Sequence, residues 1–162
     1  EEYDNEFYRV FTKDPEYSIK ILSIGRGGKK PRKDLTVWSD VKPYVDFFFD
    51  EYYSMKDSYP EQFNKADIKS ALLKFTETYD ENDDQNIWFE KIKSICDELG
   101  FSPDVKAYKA EPEKFKGHVG DISSFIRIAV TGKLNSPDMY ELMHILGKDK
   151  VISRIKAQAE SL

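Results

Sequence analysis

The sequence predicts an all-α fold of two small helical subdomains. Apolar residues recur at spacings of three and four almost throughout, clean period-2 alternation is nearly absent, and glycines (Gly100, Gly132, Gly147) close periodic segments where helices end. Phe7, Val10 and Phe11 predict a short helix that Asp14-Pro15 breaks. Tyr17, Ile19, Ile21, Leu22 and Ile24 predict a second, with Pro15 in its first turn, where a missing N–H costs nothing. The Gly25–Lys33 stretch reads as a loop from its Gly and Pro content. A long helix is expected over about Ser39–Tyr53, with Phe47, Phe48, Phe49, Tyr52 and Tyr53 crowding one face. After a polar connector marked by Pro60, helices are predicted at about Lys65–Tyr79 and Gln85–Leu99, separated by the acidic loop Asp80–Asp84. Residues 101–118 are mixed and Pro-containing, so the expected organisation is a helical unit over 1–100, a connector over 101–118 and a three-helix unit over 119–162. The last three helices fall at about Val119–Val130, Pro137–Leu146 and Lys148–Ala159, with Ser136 as N-cap and Pro137 at the first helical position of the middle one.

Composition narrows the function classes. In 162 residues, 40% hydrophobic and 14% aromatic, there is ample material for a core and too much for a disordered segment. No apolar run approaches the roughly 18–20 residues of a membrane span, and the start lacks the basic-then-apolar pattern of a signal peptide, which argues against a membrane location and secretion. The single Cys96 excludes an internal disulfide and fits a reducing, cytoplasmic setting. One Cys with two distant histidines cannot assemble a zinc site, so no metal is expected. The chain opens at Glu1 without a methionine and reads as a piece of something longer.

No constellation for covalent or acid–base catalysis is visible. His118 and His144 have no neighbouring nucleophile with acid support. Cys96 lies on the apolar face of Trp88, Ile92 and Ile95 and reads as a buried, inert thiol. Asp80, Glu81, Asp83 and Asp84 form a solvated loop without the glycine of a calcium ladder. Val130-Thr131-Gly132-Lys133 has the letters of a nucleotide motif without its spacing.

The charge pattern says more. Against a net charge of −5, the segment from Lys20 to Lys33 carries six cations (Lys20, Arg26, Lys29, Lys30, Arg32 and Lys33) and no acid. Gly lets backbone approach a phosphate and Lys/Arg supply counter-charge, although a solvated loop looks the same. Lys148, Lys150, Arg154 and Lys156 form a second basic group, equally compatible with the exposed face of a terminal helix. Arg127 stands out inside Phe125-Ile126-Arg127-Ile128-Ala129-Val130. A charge there needs either a partner, such as the nearby carboxylate Glu141, or a ligand to read with its planar fork.

The run Ile126-Arg127-Ile128-Ala129-Val130-Thr131-Gly132, Ser136-Pro137, Tyr140-Glu141-Leu142, then Leu146-Gly147-Lys148-Asp149-Lys150-Val151-Ile152 with Arg154-Ile155, resembles the C-terminal end of bacterial-type glutamyl-tRNA synthetases, class I aminoacyl-tRNA synthetases. Val37-Trp38-Ser39-Asp40-Val41 followed by Phe47-Phe48-Phe49 resembles the stretch that leads into that family's anticodon-binding helices. The resemblance is dense over 117–157 and sparser over 35–53. The ATP signatures of the class are missing from these residues. The resemblance thus implies an anticodon-binding helical cage, a superhelical bundle inactive by itself, with a catalytic domain upstream of Glu1 in the same chain. The parent would attach glutamate to tRNA(Glu), with tRNA(Gln) as a further candidate, using ATP and Mg²⁺; the fragment itself would carry no cofactor and act as a monomer. It implies anticodon contacts by Arg127, Ser136 and Pro137. Arg26, Lys29, Lys30, Arg32, Lys33, Lys148, Lys150 and Arg154 are candidates for the tRNA backbone. The Gly25–Lys33 loop departs from the family, which has a continuous helix with one Arg near Leu35. A helical protein–protein adaptor, docking through its aromatic face, is the competing reading.

Overall fold

A computed structural model describes residues 5–28, 31, 35 and 37–162. Among these the architecture is all-helical: α1 (Asn5–Thr12), α2 (Pro15–Ser23), α3 (Val41–Val45), α4 (Lys65–Thr78), α5 (Gln85–Leu99), α6 (Val105–Ala110), α7 (Val119–Thr131), α8 (Met139–Leu146) and α9 (Lys148–Ser161). The only β pairing among them is an isolated bridge between Ser102 and His118.

Local chemistry sets most of the boundaries. Asp14 caps α2 by accepting from the Tyr17 N–H at 3.0 Å, with Pro15 as the first helical residue. Asp84 caps α5, taking the amides of Asn86 at 2.8 Å and Ile87 at 2.9 Å. Gly100, at φ +78°, ends that helix in the left-handed conformation that a side chain disfavours. His118 proves to be a cap: its Nδ1 accepts from the Gly120 N–H at 2.9 Å, while Asp121 accepts from the His118 N–H at 2.8 Å.

Two expectations are corrected. The single helix over 39–53 is instead a 3₁₀ turn (Trp38–Asp40), the short α3, a second 3₁₀ turn (Asp46–Phe48) and irregular chain. The helix breaks at Val45 (φ −129°, ψ 4°), where the chain passes into the second 3₁₀ turn with Phe47 and Phe48 both buried, their rings stacked at 4.6 Å. Secondly, α8 is capped by Asp138, which accepts from the Glu141 N–H at 2.9 Å. Ser136 and Pro137 precede the helix; the Asp carboxylate reaches the third amide, and the Ser136 hydroxyl turns instead to the Pro137 carbonyl at 2.9 Å. Residues 101–118 contain a helix, α6, and are pinned at both ends, by Ser102 N–H to Gly117 O and Val119 N–H to Ser102 O, each 2.8 Å.

The core forms around α4, which packs on α9, α5 and α7; α7 also packs on α9, while α8 lies on α9 and touches α2. Cys96 is fully buried at the α4–α5–α7 contact, and burial pushes its thiol up to about 12. The native chain is therefore expected to resist a disulfide-exchange reagent at pH 8 and to react stoichiometrically once unfolded in urea. Rapid labelling under native conditions would show that α5 opens readily.

Candidate nucleic-acid interface

The end of α7 is the centre of the candidate site. Ile122, Phe125, Ile126, Ile128, Ala129 and Val130 face inward, which leaves Arg127 on the remaining strip of the helix, half-buried. Its guanidinium Nε is enclosed and has no hydrogen-bond partner among the described residues. Burial holds the group below its ordinary value, partly opposed by the carboxylate of Asp138. Asp138 directly follows Ser136-Pro137, which puts Arg127 within electrostatic range of that turn; there Ser136 is half-buried and Pro137 is buried. Glu141, the partner considered from sequence, is engaged elsewhere, accepting from the Gly25 N–H at 3.0 Å.

That last bond also fixes the start of the basic loop. Gly25 docks on the first turn of α8, so exposed Arg26 stands beside this helix. Lys29, Lys30, Arg32 and Lys33 lie outside the described residues. Two shallow grooves adjoin at Leu35. One, about 260 Å³, is walled by Leu22, Trp38 and Val41 with Arg26 at its edge; the other, about 370 Å³, by Pro43, Tyr44, Lys133 and Asn135, with Asp40 and Asp57. Aromatic and apolar walls with a few polar groups suit unstacked bases, which side chains read through their faces and edges.

The remaining candidates separate. Lys148 is exposed at the start of α9. Lys150 pairs with Asp50 at 3.0 Å. Arg154 is turned inward, only 6% exposed: its guanidinium donates to the Val130 carbonyl and to Asp50, both at 2.9 Å, and lies 3.8 Å from the centre of the Tyr53 ring. Its fork is spent on the protein's own groups.

Sequence reasoning passed over the residues that hold the turn between α7 and α8. Thr131, buried, donates to the Arg127 carbonyl at 2.8 Å and accepts from the Lys133 N–H at 3.1 Å. The Gly132 carbonyl accepts from the amides of Lys56 at 2.9 Å and Asp57 at 3.0 Å. Asp46 is 2% exposed and meets both Lys133 and Lys56. The signal was present: Asp46, in Val45-Asp46-Phe47-Phe48-Phe49, is a charge inside an apolar run, as Arg127 is.

Comparison with known proteins agrees with this geometry. A family model described as an anticodon binding domain matches residues 30–159. Glutamate–tRNA ligases of Acetivibrio thermocellus and Sorangium cellulosum are each 44% identical, over 155 and 156 residues, covering 96% and 95% of this chain. That of Clostridium perfringens (strain SM101 / Type A) is 33% identical over 159 residues, 96% of the chain. The chain spans 28%, 27% and 29% of the lengths of these three relatives. With the match extending from the basic loop through α9 and taking in Arg127 and the Ser136-Pro137 turn, the chain belongs to the anticodon-binding-domain family.

Proposed function

We propose that this chain reads the anticodon of tRNA(Glu) as the recognition part of a glutamate–tRNA ligase. The observation that supports it most directly is the Arg127 guanidinium, half-buried near the Ser136–Asp138 turn with an enclosed Nε that has no partner among the described residues. The part of the fork that stays accessible is held in place by that packing and can meet a base edge or a phosphate. Because neighbours already order the side chain, binding loses little rotamer entropy. Ser136, half-buried, offers a hydroxyl beside it, while Pro137 is buried and fixes the turn instead of presenting a stacking face. Arg26 and Lys148, both exposed, with Lys29, Lys30, Arg32 and Lys33, supply counter-charge for the phosphates, and the salt dependence expected of such contacts.

In this reading the chain works within a longer protein, joined to a catalytic domain that activates glutamate with ATP and Mg²⁺ and acts in the cytoplasm as a monomer. tRNA(Gln) is the alternative substrate, distinguished by the third anticodon base.

The test is titration of the chain with a tRNA(Glu) anticodon stem-loop and with one changed at the third anticodon base, over a salt series. Preference for the first is expected. Arg127→Ala is expected to weaken binding of the first loop by about 1–3 kcal/mol, on the order of 10–100-fold, with the helical circular dichroism signal kept. Equal binding of both loops, falling steeply with salt, would reduce the site to a phosphate contact. An adaptor would bind neither.

A further inference from the structure

We propose that the buried Asp46–Lys133 pair is the positioning element of the anticodon-reading turn, setting where Asn135, Ser136 and Pro137 stand relative to Arg127. This rests on the anticodon reading proposed above.

Lys133 Nζ reaches Asp46 Oδ1 at 2.5 Å and also donates to the Pro43 carbonyl, while the second Asp46 oxygen takes Lys56. The Lys133 side chain is only 11% exposed and the Asp46 side chain 3%. Desolvating two charges offsets much of their attraction, so such a pair is a poor source of stability compared with an apolar pair of the same volume. What it supplies is direction. The Lys133 ammonium satisfies a buried carboxylate at one place and in one orientation, and leaving either partner behind uncompensated is penalised.

The neighbouring bonds share that purpose. The carbonyl of Gly132, the ammonium of Lys133 and the N–H of Leu134, which donates to Asp57 Oδ2 at 2.7 Å, all fasten to residues 43–57. Without these ties, the residues from Lys133 to Pro137 could carry the turn over about 10 Å. Reading a base needs placement to within about half an ångström. The pair sits at the root of the projecting turn, and Lys133 itself walls the groove that Asn135 borders. It is therefore the point where a small displacement reaches every contact beyond it.

The experiment compares the wild-type chain with Lys133→Met and with the double variant Asp46→Asn/Lys133→Met. In the double variant an uncharged carboxamide still offers Lys56 an acceptor and the Pro43 carbonyl a donor, so the fold is expected to persist. Two readouts are taken on each variant that keeps the helical signal: amide hydrogen exchange, and the ratio of affinities for the cognate and third-base-changed stem-loops. Exchange of the Leu134 amide, which donates to Asp57, is expected to rise at least about tenfold while α5 amides stay protected. The affinity ratio is expected to fall about tenfold with the salt slope unchanged. Wild-type exchange at Leu134 together with a wild-type ratio overturns the proposal, and so does a ratio lost only in step with general loss of protection. If the wild-type chain shows no preference between loops, the anticodon reading fails, and exchange decides the pair by itself: acceleration at Leu134 supports its positioning role and unchanged protection overturns it.

Discussion

Gly132→Ala is expected to destabilise the chain by about 3–5 kcal/mol. Two costs add. The residue sits at φ +74°, where a side chain costs about 1–2 kcal/mol by itself. A Cβ there would also lie 2.0 Å from the Ser54 carbonyl oxygen, a backbone atom that cannot rotate away. Relieving the clash means moving residues 54–57, and these hold Gly132 through the Lys56 and Asp57 amides. Gly100→Ala separates the two costs. That position has nearly the same φ, +78°, but its Cβ would meet only the Lys116 Cε at 3.8 Å, an ordinary contact. It should cost about 1–2 kcal/mol. Urea unfolding of the two variants checks the ordering; equal midpoints would mean that residues 54–57 yield without loss.

Arg154→Ala is expected to cost about 2–4 kcal/mol, through lost packing and a stranded acceptor more than through a lost ion pair. Asp50 is 69% exposed and keeps Lys150, so the carboxylate end loses little. The buried end loses more: the Val130 carbonyl forfeits its donor and the Tyr53 ring its stacked cation. Arg154→Lys should recover only part of this, because one ammonium cannot reproduce a fork that spans Val130 and Asp50. The pH dependence follows from Asp50. Burial raises its carboxyl, but the hydrogen bonds and charges of Lys150 and Arg154 outweigh that and leave it below the usual value. A carboxyl depressed on folding gives stability that is complete above its unfolded value near 4 and lost as pH falls through the folded one. Wild type should therefore lose a small increment of stability on acidification below about pH 4, and Arg154→Ala a smaller one. A urea midpoint unchanged in Arg154→Ala would show that the guanidinium does not hold the end of α7.

These two residues also show what could be read in advance. Thr131-Gly132 was legible as a helix stop, because a left-handed terminus requires only local backbone geometry. That Gly132 also admits the Ser54 carbonyl was not legible, since the two residues meet only in the folded chain. Arg154 looked like a solvent-facing cation at helical spacing; its burial depends on a carbonyl in α7 and a carboxylate next to the aromatic run. Arg127 was conspicuous as a charge in an apolar segment, but whether Glu141 neutralised it depended on where Gly25 docked.

The sequence by itself determined the helical class, the span of α5, and the stops at Gly100 and Gly132. Each follows from interactions among residues within a turn or two of one another, which composition and spacing record directly. Tertiary structure decided the rest: the break at Val45 before the buried Phe47 and Phe48, the inward turn of Arg154, the buried Asp46–Lys133 pair, and the Arg127 Nε left without a partner among the described residues. Those outcomes depend on which desolvated groups find complements across the core, and a polar group's complement is fixed by packing among distant segments.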